Sequence, residues 1–381
     1  MKPKVLHFKT NFLNPSETFI ERLVTGHQTY EPICACANRR TLANSIRTYV
    51  MPKDGMTGLV NRYELMLNRT PRFLDRIFED EKPDIIHAHF GLDAYRMVQI
   101  SKKTKTPLIV GFYGSDVTRL PREFGWERRY ARLAAHADHS IALSSHMRDQ
   151  LIQLRFPPDK ISVVYFGLDL NRFIHHLRPH GNRIMLVGRM VEKKGFSTAL
   201  QAAQILKQDG IPFEMHFYGD GPLLSSLQSL VRERSLQDRV SFHGLVSNEQ
   251  IRLALHQNHI MIVPSRRARD GDEEGLPNTL IEAMASGLPV VASRHAAIPE
   301  VIRHQTDGLL FDENDVQALA LHLKYLLGAP EKMKSLSVKA RQRIEQLGFS
   351  IDTTVQKIED IYSHVLQSKK SKTRDFTFRA Q

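Results

Sequence analysis

The stretch Glu274-Gly275-Leu276-Pro277-Asn278-Thr279-Leu280-Ile281-Glu282-Ala283-Met284-Ala285-Ser286-Gly287-Leu288-Pro289-Val290-Val291-Ala292 carries a readable local logic. Gly275 permits a tight loop with open backbone amides. Pro277 suits the first turn of a helix, where its missing N–H costs nothing. Gly287 suits the C′ position, and Pro289 stops the helix and opens a strand. The segment therefore reads as loop, short helix, strand. A helix N-terminus with exposed amides is an anion site. Glu274 precedes the helix and Glu282 lies inside it, eight residues and just over two turns apart. One carboxylate stays at the helix mouth and the other is set deeper, an arrangement able to grip two hydroxyl-bearing parts of one ligand, such as a hexose and a ribose. A plainer reading also exists: an N-terminal charge that favours the helix dipole, plus a solvated helix glutamate.

Working outward, short apolar runs alternate with amphipathic stretches. Residues 4–8, 83–89, 107–112, 139–143 and 161–165 read as strands. A turn at Asn14-Pro15-Ser16 leads to a helix from Glu17. A second series follows at 183–188, 213–218, 240–243, 259–263, 289–292 and 308–311. This rhythm predicts parallel sheets covered by helices. The 381 residues suit two domains. The expected division is 1–170 and 171–349, with 171–181 as linker. Ile351, Val355, Ile358, Ile361, Tyr362 and Val365 predict a helix over 350–367. Residues 368–381, with Lys369, Lys370, Lys372 and Arg374, read as a basic mobile tail.

Hydrophobic residues make up 41% of the chain, ample for packed cores. Fifty-three Lys and Arg against forty-one Asp and Glu give a net charge of +12. That points to anionic partners without choosing among nucleic acid, phosphorylated substrates and an acidic membrane. Only Cys34 and Cys36 are present, on one expected strand, which excludes a disulfide framework. No Cys/His cluster is read as having zinc spacing. No apolar run approaches the roughly 20 residues needed to span a bilayer. The expectation is a cytoplasmic protein, with a peripheral place on the inner face of the membrane as a further option.

Gly188-Arg189-Met190-Val191-Glu192-Lys193-Lys194-Gly195 follows a strand and opens a helix. Arg189 and Lys194, on a glycine-flanked turn, can neutralise a diphosphate. Tyr218-Gly219-Asp220-Gly221-Pro222 follows another strand, and Phe242 to Ser247 a third. Together with Glu274 to Ala292, these resemble the retaining glycosyltransferases of family four, which have the GT-B fold. The resemblance implies two Rossmann-like domains facing a cleft, with the last helix returning to the first domain. It also implies that Arg189 and Lys194 hold the donor diphosphate and Glu274 the donor hexose near the reacting centre. Glu282 would hold the ribose. Gly188, Gly219, Gly221, Val246, Gly275, Leu276, Pro277, Asn278 and Thr279 would line the donor. Metal independence is expected, on the reading that no Asp-x-Asp element lies near the donor loops, and no cofactor beyond the nucleotide-sugar co-substrate.

The N-terminal half resembles the exopolysaccharide and colanic-acid-type subgroup, through Asn14 to Ile20, His87-Ala88-His89-Phe90-Gly91 and Phe112 to Val117. One departure stands out. The family usually has His where this chain has Tyr113, which does not titrate near neutral pH. Glu17, His89, Tyr113 and Asp116 are candidates for the acceptor. The resemblance implies transfer of a hexose, from a UDP-sugar by preference, to a saccharide or polyprenyl-diphosphate-linked saccharide in surface polysaccharide synthesis. A non-catalytic sugar-nucleotide subunit or sensor on the same fold is the alternative. No nucleic-acid module accompanies the basic charge.

That charge is concentrated in Arg119, Arg122, Arg128, Arg129 and Arg132, interleaved with Phe124, Trp126 and Tyr130. Such a pattern suits an anionic interface, or a solvated helix whose aromatics face inward. Arg69, Arg72 and Arg76, with Phe73 and Ile77, form a weaker stripe.

Overall fold

The computed structural model describes residues 2–12, 18–39 and 46–378; for residue 18 and residues 370–378 it describes the backbone alone. Glu17 lies outside the described residues. The chain divides into two compact units, Met1–Gly167 with Ile351–Gln381, and Leu168–Ser350.

In the first unit, seven parallel strands form one sheet. They are β1 (Lys4–Phe8), β2 (Glu31–Cys36), β3 (Arg47–Val50), β4 (Ile85–His89), β5 (Leu108–Gly111), β6 (His139–Ala142) and β7 (Ile161–Val163). Their spatial order is β3-β2-β1-β4-β5-β6-β7. The helices are α1 (Thr18–Gly26), α2 (Gly55–Met66), α3 (Phe73–Glu81), α4 (Gly91–Thr104), α5 (Trp126–His136) and α6 (Ser145–Gln153). Strands buried on both faces read as unbroken apolar runs. Successive side chains alternate faces, so Leu6, Phe8, Ile86 and Ala88 join one core. Val5 and Ile85 join the core on the opposite face, the face to which the same alternation assigns His7, His87 and His89. β3 escaped the sequence reading because Arg47-Thr48-Tyr49-Val50 is an edge strand with little apolar content. Cys34 and Cys36 are buried free thiols, pushed up by burial and so inert.

The second unit has six parallel strands: β8 (Arg183–Val187), β9 (Glu214–Tyr218), β10 (Val240–Phe242), β11 (Ile260–Val263), β12 (Val290–Ser293) and β13 (Leu309–Phe311). Their order, β10-β9-β8-β11-β12-β13, reverses between β8 and β11. In open α/β sheets such a reversal opens a crevice at the carboxyl ends of the strands, where ligands bind. The helices are α7 (Phe196–Gln208), α8 (Leu224–Glu233), α9 (Asn248–Gln257), α10 (Asn278–Ala285), α11 (Val316–Leu327) and α12 (Pro330–Gln346). The expected linker is a docked part of this unit. Phe173 is buried, and the Arg178 guanidinium donates to the carbonyls of Leu255, Ser286 and Gly287 at 2.8–3.0 Å.

The last helix, α13 (Ile351–Phe378), packs Val355, Ile358, Tyr362 and Val365 against Val5, Ile85, Ile109 and Ile141 of the first unit. Burying each aliphatic side chain there stabilises the fold by about 1.5–3 kcal/mol. The helix expected over 350–367 runs on in its backbone through residue 378. Lysine and arginine sustain helix as readily as coil, so the charge run Lys369, Lys370, Lys372 and Arg374 gave no stop signal.

Candidate functional site

Lys194 and Glu274 leave the two strands that flank the reversal in the second sheet. Gly188 follows β8, and a short 3₁₀ turn, Glu192–Lys194, hands the chain to α7. Gly195 caps that helix at φ +67°, and a Cβ there would lie 1.8 Å from the Pro264 carbonyl oxygen. Only glycine lets the turn approach the segment leaving β11. From that segment Glu274 meets the turn: Lys194 Nζ lies 2.8 Å from Glu274 Oε2 and Lys193 Nζ 3.4 Å from Oε1. Burial pushes the Glu274 carboxyl up, but the Lys194 and Lys193 ammonium groups outweigh it and hold it at about 2. The carboxylate is thus ionised and accepts hydrogen bonds only. The sequence reading assigned Lys194 and Glu274 to different parts of a ligand; the fold makes them an ion pair, in which Lys194 uses one of three donors on Glu274.

Arg189 is exposed and forms no ion pair among the described residues. Gly188 and Gly219 are backbone contacts: a Cβ on Gly219, at φ +130°, would lie 2.0 Å from the Gly188 oxygen. Gly221 likewise packs on the Met190 backbone. The loops after β8 and β9 are joined by Met190 N–H donating to Asp220 O at 2.9 Å, and Gly219 N–H donates to Gly244 O at 2.8 Å. Val246, two residues on, is half-buried just before the capping box of α9.

Pro277 is the N-cap of α10, one residue before the helical position expected for it. Asn278 and Thr279 begin the helix, where N–H groups have no intrahelical acceptor. Gly275 and Leu276 are half-buried on the approach, and Glu282 is half-buried just over one turn from the mouth. At the other end the expected stop is realised. Gly287 adopts φ +68°, its N–H donates to Met284 O, and Leu288 N–H donates to Ala283 O. Arg178 and Arg341 complete the cap on the carbonyls of Ser286, Gly287 and Ala285.

Contrary to expectation, an Asp-x-Asp element does lie near the donor loops: Asp270-Gly271-Asp272, immediately before Glu273 and Glu274. Both carboxylates are engaged, one by the turn before α7 and one within the loop. Asp272 pairs with Lys193 at 3.0 Å, and Asp270 Oδ1 accepts the Asp272 N–H at 3.0 Å.

In the first unit His89 is fully buried, and its Nδ1 lies 2.6 Å from the Tyr113 hydroxyl. Asp116 accepts the N–H groups of Tyr113, Gly114 and Gly91 at 2.8–3.1 Å and so fastens the loop after β5 to the start of α4. Burial raises its carboxyl to about 6 against those three donors. Within the basic stretch, Trp126 and Tyr130 are core residues, whereas Phe124 is fully exposed beside exposed Arg122 and Arg128. In the weaker stripe Ile77 is buried, and Arg72 pairs with Glu64.

Residues 169–343 match the family model for glycosyl transferases group 1, and residues 28–172 match that for Glycosyltransferase Family 4. The chain is 35% identical over 270 residues to the amylovoran biosynthesis glycosyltransferase of Erwinia amylovora. It is 30% identical over 275 residues to an Escherichia coli protein named for colanic acid biosynthesis. Each alignment covers 69% of this chain and 66% of the relative, just under two thirds of the relative's length.

The chain belongs to the family-four glycosyltransferases.

Its fold is GT-B. Anabaena HepE, solved in complex with UDP, superposes with a TM-score of 0.79 at 18% identity, covering 96% of this chain and 100% of that one. Sucrose-phosphate synthase from Thermosynechococcus elongatus gives 0.77 at 18% identity over 96% and 100%.

Three features of this chain escaped the sequence. His295, buried after β12, accepts the Glu274 N–H on Nε2 at 3.2 Å, and its Nδ1 donates to Glu313 at 2.5 Å. This tautomer follows from the two partners. Secondly, α2 exposes Met56, Leu59, Tyr63 and Met66. Their spacing of three, seven and ten residues places them on one helical face. Exposed Lys53, Arg62 and Arg69 flank it. Thirdly, the expectation of no metal-type cluster fails among the described residues: His7, His87 and His89 place ligand-capable nitrogens within 4.8 Å of one another. His87-Ala88-His89 on an expected strand was the available signal, because residues i and i+2 share a face.

Proposed function

We propose that this protein transfers a hexose from a UDP-sugar, with retention of anomeric configuration, to a saccharide or polyprenyl-diphosphate-linked saccharide in surface polysaccharide synthesis. The observation that carries the proposal is the Lys194–Glu274 pair, set at the strand reversal beside the mouth of α10. Arg189 and Lys194 bind the diphosphate and stabilise the charge that develops as it departs. Glu274, held ionised, accepts hydrogen bonds from hexose hydroxyls, and Glu282 takes the ribose. The incoming diphosphate competes with Glu274 for Lys194, so donor binding redirects an ammonium already in place. The relatives named for amylovoran and colanic acid synthesis support the acceptor class, and the UDP bound by HepE supports the base.

Transfer in this reading needs no added metal, since Arg189 and Lys194 supply the positive charge and Asp272 is committed to Lys193. No described helix is long and apolar enough to cross a membrane. The apolar face of α2, with its basic flanks, suits peripheral contact with an anionic bilayer that carries the acceptor. Two assays test the proposal. UDP-, GDP- and ADP-sugars are compared by thermal shift, where a ligand at 100 times Kd stabilises by about 2.7 kcal/mol. Transfer is then followed in Glu274→Ala and Lys194→Ala, each expected to fall at least about 10²-fold with the fold intact. Near-normal turnover in either variant contradicts the assignment.

A further inference from the structure

The first unit buries three imidazoles side by side where apolar residues would be expected. His7 on β1 stands in register with His87 on β4, and His89 follows two residues later on the same face. Ring centroids are 5.3 Å apart for His7–His87 and His7–His89, and 4.5 Å for His87–His89. All three are essentially without solvent exposure.

Each ring has one nitrogen facing the cluster and one facing outward. The outward nitrogens are all hydrogen-bonded: His7 Nε2 to His27 Nε2 at 3.0 Å, His87 Nδ1 to the Tyr362 hydroxyl at 2.6 Å, and His89 Nδ1 to the Tyr113 hydroxyl at 2.6 Å. His27 is itself held by Glu359 at 3.2 Å. The inward nitrogens are not all satisfied. His7 Nδ1 and His89 Nε2 share one contact at 3.1 Å, and buried His87 Nε2 has no partner. An orphaned buried nitrogen costs about 1–3 kcal/mol. Gly111 lets the Tyr113 hydroxyl lie close to the strand beside the cluster: a Cβ there would fall 2.1 Å from the Tyr113 hydroxyl oxygen and 3.1 Å from His87 Nε2.

We propose that His7, His87 and His89 form a buried binding site for a late first-row divalent ion of the zinc type, apart from the Lys194–Glu274 donor site. With a cation at the centre, Nδ1 of His7 and Nε2 of His87 and His89 offer lone pairs inward. The three outward N–H groups then donate to His27, Tyr362 and Tyr113, and His27 Nδ1–H donates to Glu359. Every ring nitrogen has a partner in this one arrangement. Metal-ligating histidines are ordinarily held this way through their second nitrogen. Zinc–nitrogen bonds of about 2.0–2.1 Å in tetrahedral geometry put ligand nitrogens about 3.4 Å apart. The His7–His89 pair, at 3.1 Å, is already near that spacing, and ligand-capable nitrogens of all three rings lie within 4.8 Å of one another. Burial also keeps all three rings in the neutral form that binds metal. An all-imidazole set favours zinc, copper or nickel over magnesium or calcium, which take oxygen ligands.

The test uses the untagged full-length chain, stripped with a chelator and titrated with Zn²⁺ and, for its visible absorption, Co²⁺. The expected result is one equivalent bound, ligand-field bands with Co²⁺, and a Tm that rises with Zn²⁺. His87→Gln should lose all three. His27→Gln, outside the ligand set, should weaken binding about 10- to 100-fold and decides the matter if His87→Gln does not fold. Half-buried His216 and exposed His243, 3.1 Å apart, form the competing site. The absence of saturable binding overturns the proposal, as does binding undiminished in the His87 and His27 variants. Binding abolished by His243→Gln alone also overturns it. None of these outcomes depends on donor or acceptor.

Discussion

Glu274 and the buried histidines respond to pH in the same direction for different reasons. The folded Glu274 carboxyl is lowered from 4.5 to about 2, so its contribution is present above pH 4.5 and is lost as pH falls toward 2. The His87 imidazole is lowered from 6.5 to about 3 by burial, and His7 and His89 are lowered as well. Below pH 6.5 the unfolded chain binds protons that these folded rings refuse, so stability falls with pH from there downward. Asp116, raised to about 6, acts oppositely between pH 3.8 and 6, but it is one group against three. The metal-free chain should therefore begin to lose Tm near pH 6.5. A His87→Leu variant should show a shallower slope over pH 4–6.5; an identical slope would refute the assignment. His295→Ala, which releases the Glu274 backbone without touching substrate, should lower transfer about 10- to 100-fold by misplacing the carboxylate. UDP affinity should change little, which separates positioning from loss of the binding site.

At the scale of elements, the turn before α7 carries the site. Gly195→Ala places a Cβ against the Pro264 carbonyl at φ +67°. It should destabilise the fold by more than the about 1–2 kcal/mol of left-handed strain alone and displace Lys194, measurable as loss of both Tm and turnover. Gly210→Ala, at φ +70° with open space around it, should cost only that strain and leave turnover unchanged. What the sequence disclosed about elements follows the range of the forces involved. The loop, helix and strand from Glu274 to Ala292 were legible because glycine and proline act on their own neighbours. Arg178 clamping the end of α10 and His295 holding Glu274 were not, because each joins residues that the chain separates by 21 or more positions. The ion pair between Lys194 and Glu274 was hidden similarly: the motif named both residues, but only the packing of Gly195 on Pro264 brings them together.

At the scale of the whole molecule, the +12 charge had suggested anionic partners without choosing one. The fold divides that charge. Lys193 and much of the arginine content are paired with carboxylates, while Arg122, Arg128 and the flanks of α2 remain exposed. The two-unit architecture was legible from the strand rhythm. The α2 face was not, because an apolar stripe reads as buried until the fold shows it exposed. Replacing Met56, Leu59 and Tyr63 together with serine should abolish sedimentation with phosphatidylglycerol vesicles while leaving UDP-sugar binding intact; unchanged sedimentation would remove α2 from the membrane account. Glycosyl transfer by this chain requires that the second unit bind a nucleotide diphosphate sugar through Arg189 and Lys194. Calorimetric titration of UDP-hexose into the full-length chain tests it most directly. The account predicts saturable one-site binding that weakens at least about tenfold in both Arg189→Ala and Lys194→Ala, about 1.4 kcal/mol each. No binding by the wild type, or undiminished binding in both variants, would contradict it.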